Sequence, residues 1–277
     1  MMEATPFEPM SIGQILDRTF ILYKNHFVRF LAVVAVVQVP LALVSILITT
    51  GLHSTLLAGD AGPDLSAGVL VAGIVGLVVT FLLLIIAQQL ANGALIKAIS
   101  ESYLGGDASV GQCYAAVLPR LLTLLLASFA VGILVLVGLV FCIVPGVILM
   151  LLFAVVTPVI VVEDAGVSSA MSRSKALVSG NMGKVFAVVF VAGLIVWIMN
   201  YVSQKVGVFV GVRAVSSPTA AAFVAGLVAM VGQLLAVPIS ATAVVLLYYD
   251  LRIRKEGFDL EMLARSMGSE LPPAHDS

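Results

Sequence analysis

The sequence predicts an all-α membrane protein: a polytopic bundle of six transmembrane helices plus amphipathic interfacial helices, in a three-fold internal repeat of one surface helix and two spans. Three observations predict it. The 277 residues are 61% hydrophobic and only 10% charged, against about 45–50% apolar and about 25% charged in soluble domains. No globule of this size has enough interior to hide that excess. The apolar residues also fall in runs reaching the roughly 20 residues that a spanning helix needs. Finally, the stretch 11–30, SIGQILDRTFILYKNHFVRF, reads as an amphipathic helix leading into such a run, and the arrangement recurs twice.

Residues 1–10 form a short lead with Pro6 and Pro9. It carries acids and prolines where a signal peptide has a basic flank and an apolar centre, so the first apolar run is expected to remain as a span. The first surface helix starts at Ser11, with Gln14 three residues on, a capping-box spacing. Ile12, Ile15, Leu16, Thr19, Phe20 and Tyr23 share one stripe, while Gln14, Asp17, Arg18 and Lys24 fall outside it. A span over 27–50 contains Gln38 and Pro40. A loop over 51–67 follows, without Lys or Arg. The second span begins near residue 68 and turns mixed over 87–103, until LGGD at 104–107 ends the helix, since two glycines hold a helix end poorly.

The second unit opens at Ser109, whose Ser-x-Gly-Gln repeats that of Ser11. Pro119 and Arg120 lead into a run ending at Val140. The five residues CIVPG at 142–146 then turn the chain into a run over 147–162 that contains Pro158. In the third unit Val167, Ala170, Met171, Ser174 and Val178 keep the stripe, and Arg173 takes the place of Arg18. A break at Gly180–Asn181 precedes a span over 184–201, a loop over 203–218 with Lys205 and Arg213, and a last span over 219–249 with Pro238. The expected organisation is a lead at 1–10, one transmembrane domain at 11–251 with units 11–103, 107–162 and 166–251, and a cytoplasmic tail at 252–277.

Lys and Arg in short loops mark the cytoplasmic side. Six spans place all but Lys205 and Arg213 of the fourteen basic residues on one side. The expectation is a multi-pass protein of the bacterial cytoplasmic (inner) membrane with both termini and all three surface helices cytoplasmic. Arg18, Lys24, Arg29, Arg120, Arg173 and Lys184 sit where surface helices meet spans. There they either fix topology alone or contact anionic lipid heads, at about 1 kcal/mol each.

Intramembrane chemistry usually betrays itself as ionisable residues inside spans, where each is costly. The span centres hold none, and Glu163, Asp164 and Asp250 fall at span ends, where neighbouring Arg and Lys can pair with them. His26, His53 and His275 are scattered, and Cys113 and Cys142 have no metal-ligand spacing. No cofactor or metal is expected, and a net charge of −1 argues against a nucleic-acid partner. The neutral polar residues inside spans are Gln38, Gln88, Gln89, Asn92, Asn200, Gln233, Ser240 and Thr242. They either hydrogen-bond between helices or, with the proline kinks, line a cavity for an amphiphile, for which Gln38, Gln88, Gln89 and Asn92 are the candidates.

Four stretches in order, SIGQILDRTFILYKNHF, ANGALIKAISESYLGGDASVGQ, FCIVPGVIL with VEDAGVSSAMSRSKALVSGN, and LLYYDLRIRKEGFDLE, resemble the membrane domain of glycerophosphoryl diester phosphodiesterases. The resemblance covers roughly 11–262 and departs from the family in its weakly charged third surface helix. It implies a bacterial membrane unit without the catalytic domain, because in fused members the activity belongs to a separate soluble barrel. The stretch after Asp250 is too short to hold one. The expected role is non-enzymatic: a membrane anchor, scaffold or accessory protein touching membrane lipids and a protein partner at the cytoplasmic face. The alternative is a transporter or a permease that translocates a lipid or other amphiphile.

Overall fold

The computed structural model describes residues 9–57 and 67–256, and among these there is no strand. The order short helix, span, span occurs three times. The first unit is α1 (Ile12–Asn25), α2 (Phe27–Leu57) and α3 (Ala67–Tyr103). The second is α4 (Val110–Val117), a 3₁₀ turn at Leu118–Arg120, α5 (Leu121–Phe141), and a returning span divided into α6 (Ile143–Leu152) and α7 (Val156–Glu163). The third is α8 (Val167–Val178), α9 (Met182–Ala214) and α10 (Pro218–Glu256). Six stretches among the described residues are long and apolar enough to cross a bilayer. Outward residues such as Leu122 (67% exposed), Phe129 (70%) and Phe141 (84%) leave an apolar surface suited to lipid rather than water. The chain is an all-α, multi-pass membrane bundle.

Both expected caps form. Ser11 Oγ accepts the Gln14 N–H at 3.3 Å, while Gln14 Oε1 accepts the Ser11 N–H at 2.7 Å. Ser109 and Gln112 repeat this at 3.3 and 2.8 Å. Each pair satisfies two orphan donors at the start of a surface helix. The third surface helix starts at Gly166 without a side-chain cap.

Helix α10 is the hub, packing against α9, α2, α1, α3, α8 and α7. Each surface helix also sends a hydroxyl to a span carbonyl of another unit. Tyr23 of α1 donates to Leu235 of α10 at 3.1 Å, Tyr114 of α4 to Val33 of α2 at 2.6 Å, and Ser174 of α8 to Leu152 of α6 at 2.7 Å. The links run from the first unit to the third, the second to the first and the third to the second. They close a ring.

Five boundaries differ from the sequence expectation, the first being the connection expected over 142–146, which narrows to Cys142 because the helix resumes at Ile143. The loop expected over 51–67 is helical through Leu57 and again from Ala67, and the rest of it lies outside the described residues. Gly51 costs only about 1 kcal/mol in a helix interior, too little to end one already six turns long. The span expected over 147–162 breaks at 153–155, where Ala154 and Val156 bond three residues back instead of four. Pro158 explains it, having no N–H for the Ala154 carbonyl and a ring that crowds it. The loop expected over 203–218 is helix as far as Ala214. Here Gly207 and Gly211 lie against Ala225 and Ala221 of α10, so that a Cβ on either glycine would meet those backbones at 3.2 Å or less. Small residues four apart on both helices allow this approach, and the contact holds the helix through the stretch. Finally, the tail expected from 252 begins as helix, since α10 continues to Glu256 through the Arg254–Asp250 and Arg252–Glu256 pairs at 3.1 and 3.2 Å. Residues beyond it lie outside those described.

Candidate functional site

Two regions gather the polar side chains that meet between helices: the end of the bundle that carries α1, α4 and α8, and the interior between α2, α3, α7 and α10. At the surface-helix end the charges answer one another. The base at the start of each unit's first span pairs with an acid near the end of that unit's second span or just beyond it. Arg29 meets Asp107 at 2.5 Å, Arg120 meets Asp164 at 2.5 Å, and Lys184 meets Asp250. Arg120 also donates to the Val161 carbonyl at 2.9 Å, and Arg29 to the Ala108 carbonyl. The guanidinium of Arg120 holds the Asp164 carboxyl below its ordinary range.

The third pair is the most deeply set. Asp250 is fully buried. Besides Lys184 it accepts the Met10 N–H at 2.7 Å and Arg254 Nε at 3.1 Å. Lys184 and Arg254 return to the Met10 carbonyl at 2.5 and 2.8 Å. Both backbone groups of Met10 are therefore tied to the far end of the chain.

A second cluster surrounds Glu163, which accepts Arg173 Nε at 2.9 Å and the Tyr248 hydroxyl at 2.8 Å, while Arg173 also pairs with Glu256. These two carboxylates stabilise the charged form of Arg173 and raise its pKa, outweighing the burial that opposes it.

Of the six bases named from the sequence, Arg29, Arg120, Arg173 and Lys184 thus have carboxylate partners, and Arg18 bonds the Tyr103 hydroxyl. Lys24 has no partner among the described residues and borders a shallow hollow of about 360 Å³ with His26, Arg29 and Asp107. The charge on this rim is largely answered inside the protein.

The interior is different. A cavity of about 330 Å³ lies between α2, α3 and α10, lined among others by Gln38, Ser45, Gln88, Met230 and Gln233. Gln38 lies about 16 Å along α2 from Phe27, at 1.5 Å per residue, close to half the roughly 30 Å hydrocarbon thickness. A second cavity of about 240 Å³ lies between α3, α7 and α10, with Asn92, Thr157, Pro158 and Ser240 in its wall. No ionisable side chain lines either cavity.

An amide chain joins the two. Gln38 Nε2 donates to Gln88 Oε1 at 2.8 Å, and Gln88 Nε2 to Asn92 Oδ1 at 3.2 Å. Gln88 and Asn92, one turn apart on α3, face different cavities. Gln89, half-buried and about 100° further round the same helix, is in neither lining.

Gln38, Gln88, Asn92, Gln233 and Ser240 all stand out in the sequence as neutral polar residues inside spans and do line the cavities, whereas Thr157 does not stand out there. The signal available for Gln233 was an amide within an otherwise apolar run. Thr157 shows itself only through the break beside Pro158. No family model, curated protein or solved structure matches the chain.

Proposed function

We propose that this protein handles an amphiphile within the bacterial cytoplasmic membrane, taking the polar part of a lipid-like molecule into the cavity between α2, α3 and α10. The observation that carries this reading is the cavity itself: about 330 Å³ at mid-membrane depth, with three glutamines in its wall. Lipid offers such groups no partners, so polar side chains at this depth belong to helix packing or to a ligand path. Gln233 is exposed and makes no hydrogen bond among the described residues, which fits a ligand better than packing. A volume near 330 Å³ sits at the lower end of the range for small-molecule sites, about 300–1,000 Å³.

Both termini and the three surface helices face the cytoplasm in this reading, supported by the imbalance of basic residues between the two sides. The motif resemblance to the membrane domain of glycerophosphoryl diester phosphodiesterases fits a unit that deals with lipids, and no chemical step is assigned to the chain. Anchoring or scaffolding a partner protein asks only for a stable bundle and leaves the cavity unused, so the cavity supports the amphiphile reading over that one.

The test is retention of an amphiphile. Wild-type protein exchanged into fresh detergent should keep a bound lipid-like molecule visible by native mass spectrometry. Ala229→Phe, which fills the cavity, should lose it while eluting as a folded protein. Equal retention by both proteins, or none by the wild type, would overturn the proposal.

A further inference from the structure

The two cavities share walls. Gln88 and Asn92 are one turn apart on α3, and Gln233 and Val237 are one turn apart on α10, the first of each pair in one cavity and the second in the other. One turn is about 5.4 Å, so a bound head group has little distance to travel between them. The partition includes the Gln88 amide, whose oxygen is engaged by Gln38 of the first cavity and whose nitrogen is engaged by Asn92 of the second.

The lining chemistry restricts what can occupy this pair of sites. A carboxylate, phosphate or ammonium would lie in a low-dielectric interior with no counter-charge, which costs several kcal/mol. The groups present are amides and hydroxyls: Gln38, Gln88 and Gln233 in the first cavity, Asn92, Thr157 and Ser240 in the second. Amides and hydroxyls both give and accept hydrogen bonds. Their complement is a hydroxyl or amide on the ligand. The second cavity also borders Ala154, whose carbonyl Pro158 deprives of its helical donor.

We propose that the two cavities are successive stations for an uncharged amphiphile whose head carries hydroxyl or amide groups, with Gln88 as the residue that selects neutral heads over charged ones. The inference rests on the amphiphile-handling reading and narrows it to a substrate class. A neutral head entering the first cavity can take over the Gln38 or Gln88 hydrogen bond and offer the same partner to Asn92 on the other side. A charged head finds no such exchange.

The test uses two probes with identical short acyl chains, a diacylglycerol and a phosphatidic acid, titrated onto the full-length protein in nanodiscs and read by native mass spectrometry. The wild type should bind the diacylglycerol about tenfold more tightly, the discrimination expected when one charged or unmatched group is left unpaired. Gln88→Met keeps length and volume without hydrogen bonding, and should remove most of that preference by weakening the diacylglycerol alone. Gln233→Met, at a side chain with no described hydrogen bond to lose, should weaken it too and serves if Gln88→Met fails to fold. If both probes bind the wild type equally, or if both Met variants keep the full preference, the inference fails and the broader reading stands. A wild type that binds neither probe and retains no amphiphile of its own overturns both.

Discussion

Removing the carboxylate of Asp250 is the most demanding test of how the surface-helix end holds together. The group is fully buried and accepts the Met10 N–H at 2.7 Å, Arg254 Nε at 3.1 Å and the ammonium of Lys184. Asp250→Ala leaves Lys184, whose side chain is only 13% exposed, with the Met10 carbonyl as its one remaining partner among the described residues. Orphaning a buried charge in this way costs about 3–5 kcal/mol. At about 2–4 °C per kcal/mol for a domain of this size, melting in detergent should fall by about 6–20 °C. Asp250→Asn keeps an acceptor and loses only the charge-assisted part of the bonds, about 1.5–3 kcal/mol.

A local readout separates this from general damage. Met10 is 2% exposed, so a thiol introduced by Met10→Cys should resist labelling in the parent and react in the Asp250→Ala background. The pair also predicts non-additivity: Asp250→Leu with Lys184→Met should cost less than the two single changes summed, by about 1–3 kcal/mol. Melting within about 1 °C of wild type for Asp250→Ala, together with a Met10→Cys thiol that stays unreactive in the Asp250→Ala background, would refute the reasoning.

Two further outcomes are expected. A Cβ at Gly211 would run into the Ala221 carbonyl, so Gly211→Ala should part α9 from α10 and lower stability by about 1–3 kcal/mol. Gly193→Ala on the same helix meets nothing within 4 Å and should be neutral or mildly stabilising in the same melts. Arg120 lowers the folded-state pKa of Asp164 beneath its ordinary value of 3.8. The stabilisation is therefore complete above that value and is lost as pH falls through the lower folded one. An acid titration of melting temperature should show this loss in the wild type and not in Asp164→Asn.

The rim and the interior respond to opposite rules. At the rim, Arg29, Arg120 and Lys184 share their sequence setting at the start of a span, and each meets an Asp near or just past the end of the following span. That partnership reaches its greatest sequence separation between Arg29 and Asp107. No local pattern reveals it, because the acids sit in a glycine turn, a left-handed cap and a long helix. In the interior, Gln38 and Gln88 stood out in the sequence because a neutral amide inside an apolar run is uncommon. Whether they met each other or a cavity depended on the rotation of α2 against α3.

What the sequence determined by itself was the solvent and the punctuation. Apolar excess required a bilayer, the run lengths required spans, and Ser-x-x-Gln wrote the start of α1 and α4 in four residues, since a cap needs nothing beyond its own turn. Tertiary structure decided the rest. Gly207 and Gly211 fall in the stretch that reads locally as a loop, and only the facing Ala221 and Ala225 make them a close packing surface of α9. Likewise Pro40 and Pro238 lie within unbroken helices while Pro158 divides its span. The physical reason is common to both cases. A glycine or proline sets a local cost of about 1–3 kcal/mol, and neighbouring helices, which the sequence does not place, determine whether that cost is met or the helix ends.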